Sequence, residues 1–231
     1  MQKLSKEQID SLYGFTRKHF VEYFDVQTEL VDHMANDIEA IWIENPNITF
    51  ENARDKCFKK FGVFGFMNVI EERQKALGKK YMRILCMFAK EWFKLPKFLI
   101  TVMSVLVLYT LFSIQHIGFY LVYSIHVVFA VYYFVRYKHL KKQYKKRLKV
   151  TGKNWMLEEM IFKTSSANFI LIFINILDSY RLESMLGNFW FTLGLSCLCI
   201  LIFLVAYITL TVIPSKAEKL LEETYPEYKI V

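Results

Sequence analysis

Four stretches of the chain are almost free of charged side chains, and they decide its class. They cover residues 98–114, 117–135, 161–177 and 189–213, and the third of them carries one base, Lys163. A helix of about 20 apolar residues crosses the roughly 30 Å of hydrocarbon in a bilayer. The pattern therefore predicts four transmembrane helices in a domain that covers residues 95–213.

The first 94 residues show the period of amphipathic helices instead. Ser5 and Gln8 form a capping-box pattern before a first helix, and Thr49 stands as an N-cap before a third. Between them, apolar and acidic positions separate onto two faces from about Asp25 to Glu44. No segment alternates with the period of a strand. We therefore expect an all-α protein with an N-terminal helical domain over residues 1–94.

Basic residues orient the predicted spans, because short loops rich in Lys and Arg stay in the cytoplasm. Nine bases and no acid occupy residues 136–153, which we expect to form a polybasic loop between the second and third spans. The two other connections between spans carry no base except Arg181. Both termini, the polybasic loop and a short C-terminal tail of residues 214–231 are thus predicted to be cytosolic, in a multi-pass membrane protein.

The bases of this loop are the expected contacts of anionic lipid headgroups. They are Arg136, Lys138, Lys141, Lys142, Lys145, Lys146, Arg147 and Lys149. The sequence pI of about 9.2 would also fit a nucleic-acid-binding protein. Because the positive excess is concentrated beside the predicted spans, the positive-inside rule accounts for it and no nucleic-acid partner is expected.

The second predicted helix carries the most specific polar pattern. No Lys or Arg occurs between Lys18 and Arg54. Glu29, His33 and Asp37 place a carboxylate, an imidazole and a second carboxylate at i, i+4 and i+8. This spacing fits a divalent metal or a polar contact in which His33 lies buried between its acidic neighbours. We expect the polar contact and assign no metal. The candidate partner-binding residues are Glu29, Asp32, His33, Asp37 and Glu39.

Several residues of this domain resemble a known family. Glu29-Leu30, His33 and Ile38-Glu39, followed by Ala53 and by Phe61-Gly62, resemble the small helical domain of bacterial permease-prefix and HAAS-type proteins. The resemblance covers about residues 20–75. It implies a cytosolic regulatory or interaction module attached to the membrane domain of a bacterial inner-membrane protein, and it implies no catalytic residue.

Polar side chains inside the predicted spans are the other candidate site, because such groups are costly in hydrocarbon. They are His126, Asn168, Asn175 and Asp178. Contacts between membrane helices explain them most simply. The sharper alternative is a path for a proton or a substrate.

Motifs of catalysis are missing from the chain, which contains no GxSxG, HExxH, GxxxxGK[ST] or GxGxxG pattern. We therefore expect neither an enzyme nor a cofactor. The expected function is a non-catalytic membrane protein whose helical module mediates regulation or partner binding. The alternative is a small transporter or transporter subunit. Besides the bilayer, a protein partner or a second copy of the chain is expected under both hypotheses.

Two shorter segments complete the prediction. Apolar residues from Trp155 to Phe162 are expected to lie on the membrane surface before the third span. Ser215 and Glu218 form a second capping-box pattern, which predicts a short helix that ends near Pro226.

Overall fold

The computed structural model of the chain describes residues 3–114, 116–163 and 179–230. These residues form helices and contain no β-strand, so the all-α prediction is confirmed. The chain divides into an N-terminal unit, Met1–Lys80 with Val150–Glu158, and a second unit, Tyr81–Lys149 with Glu159–Val231. Most of the predicted span 161–177, together with Asn168, Asn175 and Asp178, lies outside the described residues.

Four helices build most of the N-terminal unit. They are α1 (Lys6–Lys18), α2 (Phe24–Glu44), α3 (Phe50–Lys59) and the first part of α4 (Met67–Lys90). Both predicted caps form: the Ser5 side chain accepts from the Gln8 N–H in a complete capping box, and Thr49 Oγ1 accepts from the Asn52 N–H at 3.3 Å. Each cap satisfies a backbone donor that has no partner within its own helix.

The core of this unit follows from the helical spacing of its apolar residues. Leu30, Met34, Ile38 and Trp42 recur every fourth position on α2, and all four are buried. Ala53 and Cys57 supply the buried positions of α3, where small side chains let the two helices approach. Burying a large aliphatic side chain contributes about 1.5–3 kcal/mol, so this stripe holds α1, α2 and α3 together.

The segment Val150–Glu158, here called the inserted segment, completes the N-terminal unit although it is distant in sequence. The Phe24 N–H donates to the Asn154 carbonyl at 2.7 Å, and Asp25 Oδ1 accepts from the Met156 N–H at 3.2 Å. Trp155, Met156 and Leu157 are buried. The expectation that this segment lies on the membrane surface is wrong, because its apolar side chains pack within a protein core.

The second unit contains the remaining helices. These are the last part of α4, α5 (Lys97–Phe112), α6 (Ile117–Thr151), the last part of α7 (Met156–Lys163), α8 (Ser179–Met185), α9 (Phe189–Tyr207) and α10 (Ala217–Glu222). A π-helical turn, Ile208–Val212, and the short helix Ile213–Ser215 prolong α9. A 3-10 helix, Pro226–Ile230, follows α10.

Two helices of the described chain are long and apolar enough to cross a membrane, Ile117–Thr151 and Phe189–Ser215. A third candidate span arises only if α5 and the helix before it, which are bent by 81° at a short break, are counted together. With 16 residues, α5 alone is shorter than a typical span.

Contacts at both ends of α5 fix its direction against α9. The ring of Tyr109, near the end of α5, lies 5.5 Å from that of Phe189 at the start of α9. Trp92, just before α5, lies 5.9 Å from Tyr207 at the end of α9. The two helices are therefore antiparallel, and α5 with its preceding turn runs along the whole 19-residue length of α9.

Contacts at two levels along α6 and α9 show that these two helices are parallel. Near the start of α6, Val122 belongs to a buried cluster against which Phe191 packs. Further along both helices, the hydroxyl groups of Tyr132 and Thr211 are 3.1 Å apart.

The polybasic segment, expected as a loop, is helical in the structure. Residues 136–151 continue α6, which ends at Thr151 before Gly152 adopts a φ of +64°. Lys and Arg are good helix formers and no Gly or Pro interrupts them. Leu140 and Tyr144 are buried on one side of this extension, so packing within the second unit stabilises it.

The C-terminal helix forms, but without the predicted capping box. Ser215 Oγ donates to the Val212 carbonyl at 2.7 Å instead of capping α10, and Lys216 stands at the N-cap position without a side-chain hydrogen bond. Leu221 of α10 is buried, so apolar packing holds this helix in place.

Replacing Trp155 with Ala tests whether the inserted segment is part of the N-terminal core. We expect a loss of about 3–5 kcal/mol in the stability of this unit, because a large buried side chain leaves a cavity. Hydrogen exchange of the α1 and α2 amides should therefore accelerate. The matched control is Trp190→Ala, since Trp190 is exposed in the second unit. Unchanged exchange in Trp155→Ala would contradict the assignment.

Candidate partner-binding and lipid-binding surfaces

Three of the five candidate partner-binding residues of α2 form polar contacts within the N-terminal unit. Glu29 lies 3.7 Å from the Arg73 guanidinium, and Glu39 Oε1 accepts from the Leu4 N–H at 3.1 Å. Asp37 accepts from Lys60 Nζ at 3.0 Å and from the Cys57 thiol at 3.6 Å. These contacts join α2 to α4, to the chain before α1, and to α3.

Asp25 is a structural residue that the sequence analysis missed. Its buried carboxylate accepts from the backbone of the inserted segment and lies 3.9 Å from Arg73 Nε. Arg73 thus lies within ion-pair distance of two carboxylates placed four residues apart on α2. A buried carboxylate needs such partners, since desolvation of an isolated charge is costly. Only the long-range fold shows that Asp25 differs from the other acids of α2.

Asp32 and His33 remain at the surface. Both side chains are exposed, so the expectation that His33 lies buried between its acidic neighbours is wrong. Asn36, Ala40 and Ile43 are exposed on the same side of α2, because residues three, four and seven positions apart share a helix face. Ile43 is 58% exposed. We call the set Asp32, His33, Asn36, Ala40 and Ile43 the α2 face.

No group of three or more His, Cys, Asp or Glu side chains in the described ranges is arranged to hold a metal ion. On α2, Glu29 and Asp37 are directed to Arg73 and Lys60, while His33 is exposed to solvent. The three residues that are evenly spaced in the sequence therefore have different environments in the fold.

The bases of the α6 extension separate into two classes. Arg136 donates to the Leu210 carbonyl at 2.9 Å, within the π-helical turn. Arg147 donates to the Tyr228 hydroxyl at 3.2 Å and stacks over Phe162. Both arginines therefore connect α6 to the C-terminal part of the second unit, where their planar, multidentate groups suit fixed contacts.

The six lysines of this extension share the opposite side of the helix and are all exposed. Their spacing of three and four residues places them on one continuous stripe. We call it the lysine face, and it consists of Lys138, Lys141, Lys142, Lys145, Lys146 and Lys149.

The two lysines nearest the apolar part of α6 lie over aromatic rings. Lys138 Nζ is 4.3 Å from the centre of the Phe134 ring, and Lys141 Nζ is 5.9 Å from that of Tyr137. Such cation–π contacts hold the ammonium group of a lysine beside an aromatic ring. Aromatic and basic side chains are typical of the layer between hydrocarbon and water.

His126 is the described member of the predicted intramembrane set. Its Nδ1 lies 2.7 Å from the Val122 carbonyl of its own helix. The imidazole borders a cavity of about 620 Å³ formed by side chains of α5, α6 and α9. Leu108, Ile125, Phe129 and Phe203 make much of its wall apolar. Such a surface suits an apolar group better than a hydrated ion.

Comparisons with known proteins add no assignment. The chain matches no protein-family model, no curated protein and no solved structure.

The surroundings of Cys57 predict an unreactive thiol. Burial, and next the charge of Asp37, raise its pKa to about 12, so almost no thiolate is present near neutral pH. At pH 8 iodoacetamide should modify the exposed Cys86 and leave Cys57 unmodified, as peptide mass spectrometry would show. Equal labelling of both thiols would contradict this environment.

The same pKa predicts how stability depends on pH. The folded chain favours the neutral thiol over an unfolded chain with a pKa of 9.0. This contribution is complete below pH 9 and is lost as the pH rises toward 12. Cys57→Ala should therefore flatten the fall in stability over this range, as thermal unfolding at a series of pH values would measure. An equally steep fall in the variant would contradict the prediction.

Proposed function

We propose that the chain is a non-catalytic, multi-pass protein of a bacterial inner membrane whose N-terminal unit binds a protein partner from the cytosol. The observation that carries the proposal is the α2 face, where Asp32 and His33 are exposed on the same side of the helix as the exposed Ile43. An apolar anchor beside polar groups is a common arrangement in protein interfaces. The resemblance of residues 20–75 to permease-prefix domains supports the same role.

The directions of the helices support the proposed four crossings. Because α6 and α9 are parallel, the chain between Lys163 and Phe189 must return across the bilayer if both helices cross it. We assign the third predicted span to this return. Since α5 and the turn before it together run antiparallel along all of α9, they cover the same depth although α5 itself has 16 residues. The proposal therefore gives the crossings in the order α5, α6, the return and α9.

The inserted segment supports, independently of charge, the proposal that the N-terminal helices and the end of α6 lie on one side of the bilayer. Because Val150–Glu158 belongs to the same unit as Met1–Lys80, the end of α6 and the N-terminal helices share one side of the bilayer. The contact between Arg136 and the Leu210 carbonyl puts the end of α9 at that level as well. The bases of α6 assign this side to the cytosol.

Anionic lipid is the proposed ligand of the first part of the lysine face. With Val135 at the hydrocarbon boundary, a rise of 1.5 Å per residue places Lys138 about 4.5 Å and Lys142 about 10 Å beyond it. The headgroup layer of one leaflet is about 5–8 Å thick. Lys138 therefore lies within it, and Lys142 lies just outside it, where its long side chain can reach back to the headgroups. Lys149 lies about 21 Å beyond the boundary by the same measure, well outside this layer.

The transporter hypothesis keeps one supporting observation, the cavity beside His126. It predicts that His126→Ala abolishes function and that changes on the α2 face do not. The partner-binding proposal predicts the reverse.

Reversing the charge of Asp32 tests the proposed interface. The full-length tagged protein, purified in mild detergent, should retain a stoichiometric protein partner, and Asp32→Arg should weaken this binding at least tenfold, or about 1.4 kcal/mol. The matched control is Glu72→Arg, because Glu72 is an exposed acid on α4 of the same unit. Equal retention by wild type and both variants would overturn the α2 face as the binding surface.

Neutralising half of the lysine face tests the lipid proposal. Changing Lys138, Lys141 and Lys142 to Gln should remove about 1 kcal/mol of phosphatidylglycerol binding per lysine, as native mass spectrometry of the retained lipid would show. The control is the same change at Lys145, Lys146 and Lys149, which should have little effect. If the two triple variants lose lipid equally, the assignment by depth is wrong.

A further inference from the structure

Two turns of the N-terminal unit expose apolar side chains to solvent. Phe20, which follows α1, is 83% exposed. Val63 and Phe64, between α3 and α4, are 99% and 72% exposed. Single exposed apolar residues are common, but several together mark an interaction surface. We call these three residues the apolar tip.

The backbone at Phe20 shows that this exposure has a conformational cost. Phe20 has a φ of +64°, in the left-handed region, at the position where a helix usually ends in Gly. The Phe20 N–H donates to the Arg17 carbonyl at 3.1 Å, and the Val21 N–H donates to that of Thr16 at 3.2 Å. A large side chain destabilises this conformation, and its exposure brings no packing in return.

Two glycines shape the second turn. Gly62 has a φ of +75° and Gly65 a φ of +52°. A Cβ atom at Gly65 would lie 3.1 Å from the Phe58 ring, so this turn packs directly on an aromatic side chain. Val63 and Phe64 occupy the exposed positions between the two glycines.

Both turns rest on one aromatic cluster. The His19 ring, next to Phe20, lies 4.4 Å from the Phe58 ring and 5.9 Å from that of Phe66. Phe66 is only two residues from Phe64 and lies 5.0 Å from Phe58. The exposed side chains therefore emerge from the same end of the N-terminal unit.

Basic side chains surround this end. Lys18 precedes the first turn, and Lys56 and Lys59 are in the last part of α3, before the second turn; all three are exposed. Lys60 pairs with Asp37, and Glu22 is an exposed acid near Phe20. Exposed apolar anchors among lysines are complementary to the headgroup layer of an anionic membrane.

We infer that the apolar tip inserts into the interfacial layer of an anionic bilayer. This inference rests on the proposed membrane location: two helices of the described chain are long and apolar enough to cross a membrane, so the N-terminal unit is tethered to a bilayer and each weak contact acts within one molecule. Such a contact anchors the N-terminal unit at the lipid surface. The apolar tip and the α2 face are separate surfaces, so the lipid contact can be correct whether or not the α2 face binds a protein.

Photo-crosslinking in the full-length chain tests this inference. Benzoylphenylalanine replaces Phe64, and the protein is irradiated in phosphatidylglycerol-containing vesicles. We expect a lipid adduct, identified by its mass. The same replacement at Val107, exposed on α5, is the positive control for lipid. The same replacement at Ile43, on the α2 face, should give no lipid adduct in the vesicles. In cell membranes it should crosslink the proposed protein partner instead.

Phe20→Gly separates insertion from folding. Glycine suits the left-handed backbone, so the thermal unfolding temperature should stay the same or rise. The yield of the lipid adduct at position 64 should nevertheless fall several-fold, because one anchor is lost. The inference is overturned if position 64 yields only protein adducts, or if it yields no lipid adduct while position 107 does. An unchanged yield in Phe20→Gly also overturns it.

Discussion

The inserted segment is the constraint on which the rest of the structure depends. The first turn of α2 binds this segment through the hydrogen bond between Phe24 and Asn154 and through the Asp25 carboxylate. Trp155 then occupies a position inside the N-terminal core. Because this contact closes a loop of more than a hundred residues, its entropic cost must be offset by the packing and the hydrogen bonds of the junction. The N-terminal unit is therefore not a detachable domain that ends before the first apolar helix.

Contacts within the N-terminal unit also determine which candidate acids of α2 remain exposed. Asp25 and Glu29 both face Arg73, while Asp37 faces Lys60. A carboxylate held by a neighbouring base contributes to the fold and presents less charge to a partner. The acidic stretch that looks uniform in the sequence is thus divided, and Asp32 and His33 are the exposed members of the five candidate residues.

Local signals predict the helices of the N-terminal unit but not their contacts, and they do not predict that residues 136–151 continue α6. Caps at Ser5 and Thr49 and the apolar period of α2 are encoded within a few residues, and they appear as expected. The role of Trp155 was misjudged because an apolar segment beside a predicted span fits a membrane surface and a protein core equally well. His33 was misplaced for a similar reason, since helical spacing gives neighbours on one helix but not the side from which other helices approach.

The bases of α6 show how one helix can serve two environments. Arginine and lysine alternate without an obvious pattern in the sequence, yet the fold directs both arginines of the extension inward and all six lysines outward. A guanidinium makes several directed hydrogen bonds and is weakly hydrated, which suits the half-buried contacts with Leu210 and Tyr228. An ammonium group is strongly hydrated and favours the surface. Substituting Lys for Arg would keep the net charge of this helix but not these contacts, so charge alone is an incomplete description of the segment.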